Sequence, residues 1–303
     1  MKILITGITG FIGSHLAEHL LSNSTYKLYA IIRRKSNISY LDKRITFFEY
    51  DSDVEKLISF FKNEKFDGIV HLASLFLATH HSLDIKTMLN SNIEFGTELL
   101  EASKITNVKW FINTGTFWQH YQNEDYNPVN LYAATKEAFQ NIAKYYMETS
   151  NLVFVTIKLC DSFGEGDTRS KIFNLWEKIA KSEETLEMSM GEQIIDISYI
   201  EDIVRAYAIL IEHLNSNNFR EFRNKTFAVK SNETMSLKEL SKLFEEVTSK
   251  KLNIVWGGRE YREREVMIPW TKGDIVPGWK QTYTLKSAIK KTITNNLTLQ
   301  HKG

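Results

Sequence analysis

The 303-residue chain is 43% hydrophobic and 25% charged, with a formal net charge of +1; this is the balance of a soluble globular protein of about two domains. It gives no electrostatic argument for a nucleic acid or an anionic membrane. The lone Cys160 excludes an intrachain disulfide and suits a reducing compartment, and no apolar run nears the ~20 residues that span a bilayer. Glycines 7, 10 and 13 interrupt the apolar N-terminus and no small-residue cleavage site follows, so a cytoplasmic protein without a signal peptide is expected.

The early chain alternates between two kinds of segment. β-rich apolar runs are predicted at Lys2–Thr6, Lys27–Ile32, Ile45–Tyr50, Gly68–Ala73, Lys109–Asn113 and Val153–Leu159. Helical patterns lie between them at Phe11–Leu21, Val54–Asn63, Leu83–Ser103 and Leu131–Thr149. In the first helix Ile12, Leu16 and Leu20 recur every four residues and line one face. Such alternation predicts a doubly wound parallel sheet, the α/β class. Beyond Cys160 the regularity weakens, with helices predicted at Ser170–Lys181, Glu201–Leu214 and Ser236–Thr248 and strands at Thr226–Val229 and Leu252–Val255. The expected division is a nucleotide-binding domain over 1–165 and a smaller substrate-binding α/β domain over 166–303, returning to the first near 195–230.

The first strand runs into Gly7-Ile8-Thr9-Gly10-Phe11-Ile12-Gly13 and then a helix. Gly7 permits a tight turn, Gly10 lets the backbone approach a pyrophosphate, and Gly13 allows close helix–strand packing. The helix N-terminus favours the anion. At the end of the second strand, where an NAD site usually offers a carboxylate to the ribose, Ile32 is followed by Arg33-Arg34-Lys35. Arg33 and Arg34 suit a 2′-phosphate, so NADPH is the expected cofactor. Further on, Tyr132 and Lys136 stand four apart near the start of a predicted helix, on one face. There the cation and the helix N-terminus are expected to lower the phenol's pKa and fit it for proton transfer. No carboxylate or cysteine pattern joins His71, His80 and His81 into a metal site.

The three-residue glycine spacing, with the tyrosine and lysine, resembles the extended short-chain dehydrogenase/reductases, the epimerase/dehydratase family that acts on sugar nucleotides. The resemblance implies a Rossmann fold and carries roles onto particular residues. Thr9, Phe11, Ile12, Leu72, Ala73, Ser74, Asn92 and Leu159 would line the cofactor, and Asp51 with Ser52 would meet its adenine. Thr114, aligned through Phe117-Trp118, takes the place of the catalytic serine or threonine. Phe76, Thr116, Phe117, Asp161 and Arg262 fall at substrate positions, while Ile195 replaces a usual arginine. The acidic pair of the family's 4,6-dehydratases is replaced by Gly115 and Thr116, which speaks against dehydration.

Within the family the chain is similar to the CDP-abequose and CDP-paratose synthases, which reduce a CDP-4-keto-3,6-dideoxyhexose. The shared stretches are Asn113-Thr114 with Phe117, Tyr145-Tyr146, Gly191-Glu192-Gln193-Ile194, Glu201-Asp202-Ile203-Val204 and Glu265-Val266-Met267. The function expected is NADPH-dependent reduction of a nucleotide-linked 4-ketohexose. A 4-epimerase and a non-catalytic NADP-binding sensor are the alternatives. A homodimer joined through the Leu83–Ser103 and Leu131–Thr149 helices is the expected assembly.

Overall fold

The computed structural model describes residues 1–22, 25–182 and 184–300. Its centre is a seven-stranded, wholly parallel sheet. The elements follow in chain order: β1 (Lys2–Thr6), α1 (Phe11–Ser22), β2 (Lys27–Ile32), β3 (Thr46–Glu49), α2 (Val54–Glu64) and β4 (Gly68–His71). Then come α3 (Asp84–Leu89), a π-helical turn (Asn90–Glu94), α4 (Phe95–Thr106), β5 (Trp110–Thr116), α5 (Leu131–Glu148) and β6 (Val153–Leu159). The remainder comprises β7 (Asp161–Phe163), α6 (Ile172–Ile179), β8 (Leu186–Met188), β9 (Ile194–Ile195), β10 (Ile197–Tyr199), α7 (Ile200–Leu214), β11 (Thr226–Val229), β12 (Met235–Ser236), α8 (Leu237–Thr248), β13 (Ile254–Trp256) and α9 (Leu285–Gln300).

The sheet order is β11-β6-β5-β4-β1-β2-β3. The order reverses between β1 and β4, so a crevice opens at their carboxyl ends, where Rossmann folds bind ligands. Alternation in the strands feeds two cores. Ile3 and Ile5 join α1 and α7 on one face, while Leu4 joins α2, α4 and α5 on the other. β6 is buried along its whole length, as a central strand covered on both faces should be. Three two-stranded ladders, β7–β10, β9–β12 and β8–β13, lie outside the main sheet.

Two expected elements differ in the structure. β5 runs to Thr116, three residues further than the apolar run suggests, because Thr114, Gly115 and Thr116 pair with Ile157, Lys158 and Leu159 of β6. The single helix expected over Leu83–Ser103 is interrupted by the π-turn, where Phe95 N–H bonds to Asn90 O. Such single π-turns inside helices occur frequently at functional sites. Asn92, within this turn, is buried.

Candidate active site

The glycine turn is built as a cradle. Gly7 has φ of +70° and an added Cβ would lie 2.6 Å from Ala73 N, while one on Gly13 would lie 2.3 Å from Gly7 O. Neither position accepts a side chain. At Gly10 the same atom would meet only Gly7 O, at 3.1 Å, so that residue faces open space in front of α1. The first turn of α1 holds no acidic residue, and its free N–H groups are left for an anion. Tyr40 reaches across to donate to Thr9 O at 2.8 Å, tying the loop after β2 to the turn.

Arg33 and Arg34 leave the end of β2 exposed, and among the described residues no ion pair engages either guanidinium. Asp51 behaves differently: its carboxylate is ion-paired with Lys56 at 2.8 Å, and Ser52 takes a positive φ of 70°. His71, beneath the crevice, is 1% exposed and shares a 2.8 Å hydrogen bond with Thr6 Oγ1. Burial, reinforced by the Lys136 charge, lowers its pKa to about 3 and keeps it neutral. Among the described residues no group of three or more His, Cys, Asp or Glu side chains could hold a metal ion.

A cleft of about 480 Å³ continues from this crevice. Ile12, Leu72, Ser74 and Leu159 line it together with Thr114, Tyr132 and Lys136. The start of α5 places the last two. Asn130 caps the helix by accepting from Ala133 N–H at 3.0 Å, and its amide donates to Leu77 O and Ala78 O. Tyr132 therefore sits at the second helical position, with Lys136 one turn on and its ammonium 6.0 Å from the tyrosine ring centre. Ser74 lines the cleft with Tyr132, and Phe76 packs edge-on against the tyrosine ring at 5.0 Å.

The phenol's pKa does not move in the expected direction. Burial pushes Tyr132 up to about 12 and drives Lys136 down to about 8. With Lys136 only 2% exposed, loss of hydration sets the direction for both groups. Tyr132 is thus held as a protonated phenol.

The residues expected at substrate positions separate. Phe76, Thr116 and Asp161 line the cleft. Phe117 instead turns into a small buried cluster with Ala228 and Trp270, and its neighbour Trp118 faces the cleft. Asp161 is paired with Lys171 at 2.8 Å, and the Lys171 ammonium lies 4.8 Å from the centre of the Phe76 ring. Arg262 is engaged by both oxygens of Glu265 and lies 5.4 Å over the Trp118 ring, at the cleft's edge.

Three further residues gather here that the sequence does not single out. Tyr207 of α7, wholly buried, meets Thr114 Oγ1 through its hydroxyl at 2.7 Å, and burial raises its pKa so that it keeps its proton. Arg169 lines the cleft, lies 4.4 Å over the Phe11 ring and is held by Asp167 and Ser162. Lys171 is the third. All three lie in the less regular second half, with no local motif to mark them.

Residues 3–222 match the profile of the NAD dependent epimerase/dehydratase family. The chain belongs to that family. It is 27% identical to CDP-abequose synthase of Salmonella muenchen, over 97% of this chain and 97% of that one. It is also 27% identical to CDP-abequose synthase of Yersinia pseudotuberculosis, over 98% and 99%. The fold matches that of UDP-glucuronic acid 4-epimerase from Bacillus cereus, solved with UDP-glucuronic acid and NAD. The TM-score is 0.84 at 22% identity, covering 99% of this chain and 100% of the other.

Asn92 ties the parts of this epimerase/dehydratase cleft together. Its amide oxygen accepts from Leu75 N–H (2.7 Å) and Ser74 Oγ (3.2 Å), and its nitrogen donates to Leu75 O and Thr135 Oγ1 (both 3.0 Å). Thr135 in turn donates to Tyr132 O at 2.7 Å. Asn92→Ala should cost about 2 kcal/mol, because the Leu75 backbone loses both partners in a partly buried site. The expected melting point falls by about 5 °C. Turnover should drop about tenfold as Ser74 and Tyr132 lose register. A melting curve and a turnover rate both matching the wild type would refute this role.

Proposed function

We propose that this chain is an NADPH-dependent reductase of the 4-keto group of a nucleotide-linked 6-deoxy or 3,6-dideoxy hexose. The observation that carries the reading is the convergence of Thr114, Tyr132 and Lys136 on one cleft beside the glycine cradle. Gly115 and Thr116, which also line that cleft, supply no acid or base for dehydration. The similarity to CDP-abequose synthases along nearly the full chain supports a nucleotide-sugar substrate.

The cradle fits a dinucleotide because it offers an open glycine face at a helix N-terminus and no room for a side chain at Gly7 or Gly13. Gly10 and the α1 N-terminus would hold the pyrophosphate, Arg33 and Arg34 a 2′-phosphate, and Lys136 the ribose hydroxyls beside the nicotinamide. The bound cofactor supplies a hydride for the sugar's C4. Thr114 then orients the C4 carbonyl oxygen: Tyr207 can donate to Thr114 Oγ1, leaving the threonine proton for the carbonyl. Tyr132 delivers its proton to that oxygen as negative charge develops. The C=O π bond breaks, and new C–H and O–H bonds form. A phenol kept protonated by burial suits this direction, since oxidation of an alcohol would first require phenolate. Exposed Ile105 on α4 and Tyr145 on α5 support a homodimer through those helices.

The deciding experiment follows NADPH oxidation across CDP-, dTDP-, GDP- and UDP-linked 4-keto-6-deoxysugars, with the product identified by NMR. Stoichiometric consumption supports the proposal. Interconversion of 4-hydroxy sugars without added reductant would make the protein an epimerase. Cofactor preference has its own test: NADPH should bind more tightly than NADH. Arg33→Ala with Arg34→Ala should cost NADPH about tenfold or more, the scale of one charge-assisted contact, and leave NADH unchanged. Tighter NADH binding by the wild type would overturn the assignment.

A further inference from the structure

One buried cation beside the cleft has no part in the chemistry above. Lys158 of β6 is 4% exposed, and its ammonium lies 2.7 Å from His120 Nε2 and 3.9 Å from Glu137 Oε2. Nδ1 of His120 lies 3.0 Å from Glu124 O, a carbonyl that can only accept. The ring proton therefore resides on Nδ1 and Nε2 is free to accept from the ammonium. His120 is stacked on Trp270 at 4.1 Å and 10°, and Lys158 lies 5.6 Å over the same ring. The titratable groups facing Lys158 are thus His120 from the turn after β5 and Glu137 from α5, and Trp270 closes the remaining side.

This cluster joins the two halves of the active site. Glu137 follows Lys136 directly on α5. Its Oε2 accepts from Gln119 Nε2 at 2.5 Å, while Gln119 Oε1 accepts from Thr116 N–H at 2.9 Å. The Lys158 stem also packs against Gly115, which lines the cleft: a Cβ on Gly115 would lie 2.9 Å from Lys158 Cγ and 2.8 Å from Gln119 Oε1. The strand carrying Thr114 and the helix carrying Tyr132 are held in register by one lysine–glutamate–glutamine network. The same network leaves room only for glycine at position 115.

We propose that Lys158 is a positioning residue for hydride-transfer chemistry: held by His120, its ammonium faces Glu137 of the catalytic helix, which Gln119 ties to the Thr114–Thr116 strand end. The proposal rests on Tyr132 and Lys136 being the catalytic pair, not on which sugar is reduced. It is tested on whichever reaction the wild type catalyses, reduction or epimerisation, so failure of the ketoreductase reading leaves the test intact.

Two variants decide it. Lys158→Met should lower kcat about tenfold or more, the scale of a small misplacement at a reacting centre, with NADPH affinity within about twofold of wild type. Retained kcat, or parallel loss of turnover and cofactor binding, would overturn the proposal. Glu137→Gln creates no cavity and serves if the first variant fails to fold. Burial lowers the Lys158 pKa to about 8, and the Glu137 charge opposes that fall. Removing the charge should move the alkaline limb of kcat down by about half a pH unit. Lys136, whose pKa is lowered by burial alone, is not expected to respond. An alkaline limb unmoved in Glu137→Gln would assign that limb to Lys136 and refute a role for Lys158.

Discussion

Tyr132→Phe should lower kcat by about 10²–10⁴-fold, the usual contribution of a positioned proton donor, while NADPH binds with wild-type affinity. The separation follows from what the substitution removes. The ring keeps its edge-on contact with Phe76, and the helix keeps its Asn130 cap. The glycine cradle is walled by the backbone of Gly7, Ile8, Leu72 and Ala73, which the substitution leaves in place. Only the hydroxyl of a cleft-lining residue is lost. Isothermal titration with NADPH, paired with single-turnover kinetics, separates the two effects. A variant turning over within twofold of wild type would remove Tyr132 from the mechanism.

The parts of this site written in local chemistry are legible in the sequence. A strand, three glycines and a helix in immediate succession define the cradle, and Asn130, Tyr132 and Lys136 declare a capped helix with two side chains on one face. The strand–helix alternation that gives the sheet its class is likewise a short-range pattern. What stays hidden depends on contacts across long stretches of chain. Tyr207 meets Thr114 across 93 positions, and nothing near either residue predicts the pairing. Phe117 and Trp118 are adjacent aromatics, so composition cannot say which faces the cleft. The 3₁₀ turn after β5, capped by Thr116, decides that Phe117 enters the core.

The direction of the tyrosine's pKa escapes the sequence for a related reason. Spacing reports that a cation lies nearby but says nothing of how much water both groups lose. Burial is a property of the assembled fold, and here it sets the direction for both groups. Arg262 makes the same point for charge: the sequence offers a free guanidinium, but the structure shows it held by Glu265. A substrate phosphate would have to exchange with that carboxylate rather than find an empty fork. Asp161 and Lys171 present a second such pair inside the cleft.

Lys136→Met should reduce turnover by about a hundredfold or more and yet make the cofactor-free protein more stable at neutral pH. Lys136 is 2% exposed and its pKa falls from 10.5 to about 8 through burial alone. Below pH 8 the folded protein carries an ammonium that would be better hydrated in the unfolded chain. The sign follows from proton counting. Between about pH 8 and 10.5 the unfolded state binds the proton more strongly, so wild-type stability rises with pH across that window. Methionine has no such cost and fills a similar volume. The expected gain is roughly 3 kcal/mol at pH 7, because each pH unit separating the folded and unfolded values is worth about 1.4 kcal/mol. It should shrink above pH 8 and vanish beyond 10.5. Melting curves of both proteins without cofactor, taken from pH 6 to 11, test this directly. A variant no more stable than wild type at pH 7 would mean that Lys136 is solvated or paired. A stabilised but inactive variant would identify a lysine kept in an unfavourable site for the sake of the ribose and the phenol it serves.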